Sequence, residues 1–116
     1  MILITGASRG LGRAVAERLV ESGEDVLGIS RETEGLRFEA VACDVSDYNA
    51  VKTIAQDLRK QKKEITGVIN AAGIASMNLA VTTPPSMTQK LIQTNLVGTI
   101  HCCQLFAPLM IRRKAI

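Results

Sequence analysis

Aromatic side chains are nearly missing from this chain: its 116 residues include no tryptophan, one tyrosine and two phenylalanines. A core must therefore come from Val, Ile, Leu, Ala and Met. That suits a sheet flanked by helices better than an aromatic-rich β-sandwich. The shortage also removes the platforms on which single-stranded nucleic acid stacks. A formal net charge of +3 is too small to imply nucleic acid by itself. Cysteine is scarce as well. Cys43, Cys102 and Cys103 are odd in number and form no C-x-x-C, and the single histidine adds no metal-ligand spacing. No metal site is expected, and the thiols read as reduced packing residues of a cytoplasmic protein. No apolar run approaches the roughly 18–20 residues of a membrane span. The chain opens on a strand-like run without a basic leader, so neither a membrane anchor nor a signal peptide is expected. There is no repeat, linker or low-complexity stretch, and the length allows at most one domain, residues 1–116.

What is present is an alternation of short apolar runs with helical patterns. Ile2–Thr5 reads as a strand, and a helix over Leu11–Ser22 follows a glycine turn, with Ala14, Val15, Leu19 and Val20 as its apolar stripe. Gly23 stands where a C-cap glycine belongs. Asp25–Ser30 and Arg37–Cys43 read as strands two and three, joined by a short polar link. Ser46 or Asp47 can cap a helix running to Lys63, with Val51, Ile54, Ala55 and Leu58 on one face. Ile65–Asn70 is strand four, and a loop runs from Ala71 to Pro85. Ser86 with Gln89 resembles a capping box opening a helix to Arg113, kinked at Pro108. This order predicts an α/β fold, a doubly wound parallel sheet of strand order 3-2-1-4 ending after strand four and its helix.

The first turn, Thr-Gly-Ala-Ser-Arg-Gly-Leu-Gly at 5–12, carries the chemistry. Free N–H groups and the positive dipole end of a helix favour an anion. Glycine lets the backbone approach a pyrophosphate without a Cβ in the way. The spacing Gly6-x-x-x-Gly10-x-Gly12 is neither G-x-G-x-x-G nor a P-loop. At the end of strand two, an NAD site usually places a carboxylate about 20 residues beyond the turn, on the 2′-hydroxyl. Here Ser30-Arg31 stands there, and Arg9 lies in the glycine loop. An arginine fork grips a 2′-phosphate that a carboxylate would repel, so NADP(H) is favoured over NAD(H).

Four segments in this order, TGASRGLG at 5–12, CDVSD at 43–47, NAAG at 70–73 and TNLVGT at 94–99, resemble the short-chain dehydrogenase/reductase family, most closely its 3-oxoacyl-[acyl-carrier-protein] reductases. The resemblance runs the length of the chain and implies residue roles. Gly6, Ser8, Arg9, Gly10, Leu11 and Gly12 would line the pyrophosphate and adenosine ribose. Asp44 would bond the adenine amino group and Val45 would pack on the ring. Asn70, Ala71, Ala72 and Gly73 would pass the nicotinamide-side ribose. Asn95 matches the catalytic asparagine, which in the family bends its helix locally and holds a water. The family also needs a serine and a Tyr-x-x-x-Lys pair, on strand five and the next helix, which the resemblance places beyond residue 116.

Tyr48 and Lys52 meet the Tyr-x-x-x-Lys spacing but follow Asp44 directly, at the adenine end, far from hydride transfer. They read as first-turn helix residues, and His101 reads as a helix-face or interface residue. The final helix is apolar over a wide surface. Ile92, Asn95, Leu96, Thr99, Cys103, Phe106 and Met110 fall on one side, and Val97, Ile100, Gln104 and Leu109 on another. Such a surface implies a homo-oligomer through residues 86–113 or cover by a further C-terminal half. The expected function is NADP(H)-dependent reduction of a small-molecule carbonyl or acyl thioester, with no nucleic acid or membrane partner, and with this chain alone lacking the full catalytic set. A non-catalytic nucleotide-binding module and an inactive remnant are the alternatives.

Overall fold

The computed structural model describes residues 1–75 and 79–112. Four strands, β1 (Ile2–Thr5), β2 (Val26–Ser30), β3 (Ala40–Ala42) and β4 (Gly67–Asn70), form one parallel sheet in the order β3-β2-β1-β4. Helix α1 (Gly10–Glu21) joins β1 to β2, and α2 (Tyr48–Lys60) joins β3 to β4. After β4 come a short 3-10 turn (Ala80–Thr82), α3 (Pro85–Ile92), a π-helical turn (Gln93–Val97) and α4 (Gly98–Arg112). The expected topology is therefore the observed one.

Successive strand residues point to opposite faces, so the sheet builds two cores. Leu3, Leu27 and Ile29 meet α2 and α4 through Val51, Leu58 and Phe106. Ile4 and Val26 meet α1 through Ala16. The face of α2 is the expected one, with Val51, Ile54, Ala55 and Leu58 all buried. Asp47 is its cap, accepting from the Ala50 N–H at 3.2 Å, while the Ser46 hydroxyl turns to Asp44. Gly23, at φ 88°, ends α1 as expected. Its N–H donates to Val20 O and that of Glu24 to Leu19 O, both at 3.0 Å, the paired bonds of a Schellman cap.

Several expectations need correction. The stripe of α1 is Gly12, Val15, Ala16 and Leu19, with Ala14 and Val20 exposed. Close packing at Gly12 sets the phase, and the rest follows at helical spacing. β3 is only Ala40–Ala42. Phe38 leaves the strand to cover Gly28, whose missing Cβ would stand 2.7 Å from the ring. Backbone bonds from Gly28 to Glu39 and from Cys43 to Ser30 still extend the ladder at both ends. Ser86 caps nothing: α3 starts at Pro85 after an extended Pro84, with no side-chain cap. Proline tolerates that first position because the N–H it lacks would have no helical partner.

The last helix is not one regular helix. The π turn at Gln93–Val97 inserts a wider turn. Beyond it, Gly98, Cys102, Phe106 and Leu109 follow at ordinary helical spacing and share the buried face of α4. Phe106 and Leu109, expected on different sides, lie together because residues three apart on one helix share a face. The helical run Pro85–Ile111 is also long and apolar enough by length and composition to cross a membrane, which the apolar runs alone did not suggest. The buried side of α4 packs on the sheet. The expected helix end at Arg113 lies outside the described residues.

Candidate functional site: a glycine-walled cleft at the strand ends

The carboxyl ends of the four strands open into one cleft of about 410 Å³. A cleft outside the carboxyl ends, where the strand order reverses beside β1, is where open α/β sheets bind ligands.

One wall is the turn from β1 into α1. Gly6 and Gly10 take φ of 65° and 61°, a region unfavourable to other residues. At Gly6 a Cβ would also stand 2.6 Å from the Ala71 carbonyl oxygen. At Gly12 it would overlap the Gly6 carbonyl. These two positions let β1, α1 and the chain after β4 meet without side chains between them. Arg9 precedes α1 in extended conformation and offers no side-chain cap. The first-turn N–H groups stand at the positive end of the helix dipole, where an anion is favoured.

A second wall is the segment after β3. Asp44 Oδ1 accepts from the Ser46 N–H at 3.0 Å and from its hydroxyl at 2.7 Å. Burial pushes the Asp44 carboxyl up, but these two bonds and the cations Arg31 and Lys90 outweigh it and hold it below the usual range. Asp44 is thereby kept an ionised acceptor. Val45 beside it is 5% exposed and lines the cleft. At the end of β2, the buried Ser30 hydroxyl donates to the Glu32 carbonyl at 2.6 Å. Arg31 and Glu32 both line the cleft there, a cation and an anion side by side.

The opposite wall is the chain after β4. The buried Thr5 hydroxyl oxygen accepts from the N–H groups of Ala71 and Ala72, at 3.2 and 3.1 Å. Asn95, in the π turn, clips the next residues. Its Oδ1 accepts from the Ile74 N–H at 2.7 Å, and its Nδ2 donates to the Ile74 carbonyl at 2.8 Å. One amide thus satisfies both backbone groups of one residue, and the widened turn brings it there.

Gly6, Ser8, Arg9, Gly10, Leu11 and Gly12 all line this cleft. So do Ser30, Arg31, Asp44, Val45, Ala71, Ala72 and Gly73. Asn70 does not; its Nδ2 faces Cys103 Sγ at 3.7 Å. Asn95 lies behind the lining and acts on it through Ile74. Tyr48 and Lys52 are outside it, and the Tyr48 ring meets His101 edge-on, centroids 5.1 Å apart. Sequence reasoning missed Ile29, Glu32, Cys43, Ile74 and Thr94 in the lining. It also missed Thr5, whose place before Gly6 was the one available signal. Among the described residues no cluster of His, Cys, Asp and Glu could hold a metal.

The cleft thus offers an anion the positive end of a glycine-walled helix, offers a donor group the ionised Asp44 carboxylate, and offers bare backbone at Ala71–Gly73 for close approach.

Comparison with known proteins agrees with this geometry. A sequence profile described as short chain dehydrogenase matches residues 1–115. Serine 3-dehydrogenase of Rhizobium radiobacter is 34% identical over 99% of this chain and 50% of its own length. The 3-oxoacyl-[acyl-carrier-protein] reductase FabG of Staphylococcus aureus is 31% identical over 97% of this chain and 51% of its own. A short chain dehydrogenase from Leptospira borgpetersenii, solved with bound NAD+, superposes with a TM-score of 0.90 at 25% identity, covering 97% of this chain and 46% of that one. The chain therefore spans about half the length of the curated relatives it matches. With its sheet order, its glycine-walled cleft and a profile match along nearly the whole sequence, the chain belongs to the short-chain dehydrogenase family.

Proposed function

We propose that residues 1–116 form the cofactor-binding part of an NADP(H)-dependent oxidoreductase that reduces a small carbonyl compound, of 3-oxoacyl thioester or similar type. The observation that carries this reading is the continuity of one cleft from the α1 terminus to Arg31 and Asp44 on one side and to Ala71–Ile74 on the other. The N–H groups at the start of α1 would neutralise the pyrophosphate. Arg31 and Arg9 would pair with a 2′-phosphate, and Asp44 would accept from the adenine amino group.

When bound, the dihydronicotinamide supplies the hydride that reaches the carbonyl carbon, and a proton must reach the oxygen. Within this chain Asn95 holds Ile74, and through it the wall beside that end of the cleft. The proton donor would come from outside residues 1–116. Tyr48 is at the wrong end, and the family's serine and Tyr-x-x-x-Lys belong to the part of the relatives that this chain does not span.

Glu32 gives a second reading its footing, because a carboxylate beside the ribose favours NAD(H). Titration with NADPH and NADH separates the two. We expect tighter binding of NADPH, and Arg31→Glu should cost NADPH at least tenfold while sparing NADH. Equal affinities in the wild-type chain would reject the NADP(H) preference. Turnover of an acetoacetyl thioester by this chain alone would reject its dependence on further catalytic residues.

Three unpaired cysteines support a reducing, cytoplasmic setting. Exposed Ile92, Leu96 and Ile100 support cover of this helix by a second copy or by further chain.

A further inference from the structure

α4, which follows the π turn carrying Asn95, also holds the segment after β3. Gly98 lets α4 come so close that a Cβ there would stand 2.7 Å from Val45 Cγ2 and 3.2 Å from the Val45 carbonyl oxygen. One turn on, His101 Nδ1 lies 3.1 Å from that same oxygen. A carbonyl only accepts, so Nδ1 carries the proton and donates it. The Tyr48 ring packs edge-on against the imidazole at an interplanar angle of 76°, which limits its rotation. In the π turn, Gln93 Nε2 donates to the Ser46 carbonyl at 3.2 Å. Consecutive carbonyls of the Asp44–Ser46 segment are thus held from α4 and the turn before it, while Asp44 and Val45 line the cleft.

We propose that His101 is a positioning residue for the adenine-side wall: its Nδ1–H, aimed by Tyr48, fixes the Val45 carbonyl and so the distance of Asp44 and Val45 from the α1 terminus. The inference rests on the dinucleotide reading for its ligand, but not for its geometry. Without the imidazole the Val45 carbonyl loses its side-chain donor and the segment is free to move outward. The other wall keeps its own clip, Asn95 on Ile74, so the effect is confined to one end.

The test compares His101→Leu, which keeps bulk without a donor, with His101→Asn, whose Nδ2–H falls near the place of Nδ1–H. Amide hydrogen exchange is read at Ser46 and Asp47, whose N–H groups bond within this segment, and at Ala71 and Ala72 on the other wall. Exchange at 46–47 should rise about three- to tenfold in the Leu variant, return in the Asn variant, and stay unchanged at 71–72 in both. Binding of 2′,5′-ADP should weaken in the Leu variant by a similar factor and recover in the Asn variant. Unchanged exchange at 46–47, an equal rise at both walls, or no rescue by Asn would overturn the role. A wild-type chain that does not bind 2′,5′-ADP would overturn the dinucleotide reading, while the exchange result still decides whether His101 holds the segment.

Discussion

Thr5→Val replaces a buried hydroxyl by a methyl of nearly the same size. Thr5 is 1% exposed, and its oxygen accepts from two backbone N–H groups, those of Ala71 and Ala72. Valine cannot accept. A buried donor left unpaired costs about 1–3 kcal/mol. These two amides are only part-buried, so water recovers some of the loss, and the expected sum is about 2–4 kcal/mol. Against a total stability of about 5–15 kcal/mol that is a large fraction. It corresponds to a fall in Tm of about 8–16 °C for a chain of this size. Thr5→Ser keeps the acceptor and loses one methyl, for about 1 kcal/mol. Urea denaturation measures both, and the midpoint should move with the slope unchanged. If valine costs under about 0.5 kcal/mol, or serine costs as much as valine, Thr5 does not brace this wall and the reasoning fails.

Further outcomes follow from the same geometry. Gly12→Ala forces a methyl into the Gly6 carbonyl; it should destabilise by about 1–3 kcal/mol and weaken NADPH at least tenfold, checked by denaturation and titration. Asn95→Ala leaves both Ile74 backbone groups without their partner and should raise exchange at Ile74 while leaving Ser46 unchanged. Asp44 has its folded pKa below the unfolded value. Its contribution is therefore complete above about pH 4 and is lost as pH falls through the folded value, so wild type and Asp44→Asn should converge in acid; a difference independent of pH would contradict this. Burial and the neighbouring Asp44 and Asp47 push the Cys43 thiol up to about 11. Burial, with Cys43 and Cys103 nearby, pushes Cys102 up to about 12. A thiol reagent at neutral pH should therefore label exposed Cys103 in the native chain, and the other two after unfolding.

The sheet order and the glycine turn were legible in the sequence because both depend on local pattern. Strand runs alternate with helical stripes, and Gly6 and Gly12 mark points where two backbones meet. In the last helix a local bend at Asn95 was implied by the family resemblance, but its π form and the partner that favours it were not legible. Its π turn is favoured by what Asn95 gains from Ile74, a partner 21 residues away, and helical periodicity carries no trace of that. The short β3 has a similar cause: Phe38 gains more by covering Gly28 than by extending an edge strand. His101 looked like an ordinary helix-face residue because its partner, Val45, lies 56 residues earlier. Tyr48 and Lys52 show the converse, a spacing that fits a catalytic pair at positions that do not line the cleft. What sequence pattern gave least well was the joining of distant backbone groups by single side chains, and that joining shapes this cleft.

The proposed role of the cleft at the strand ends is to hold a dinucleotide. An NMR titration of the labelled chain with NADPH tests it directly. Saturable shifts should concentrate in residues 6–12, 30–32, 44–45 and 71–74, and Gly12→Ala should abolish them. Absence of shifts in a folded wild-type chain, or shifts centred on the far end of the sheet, would contradict it.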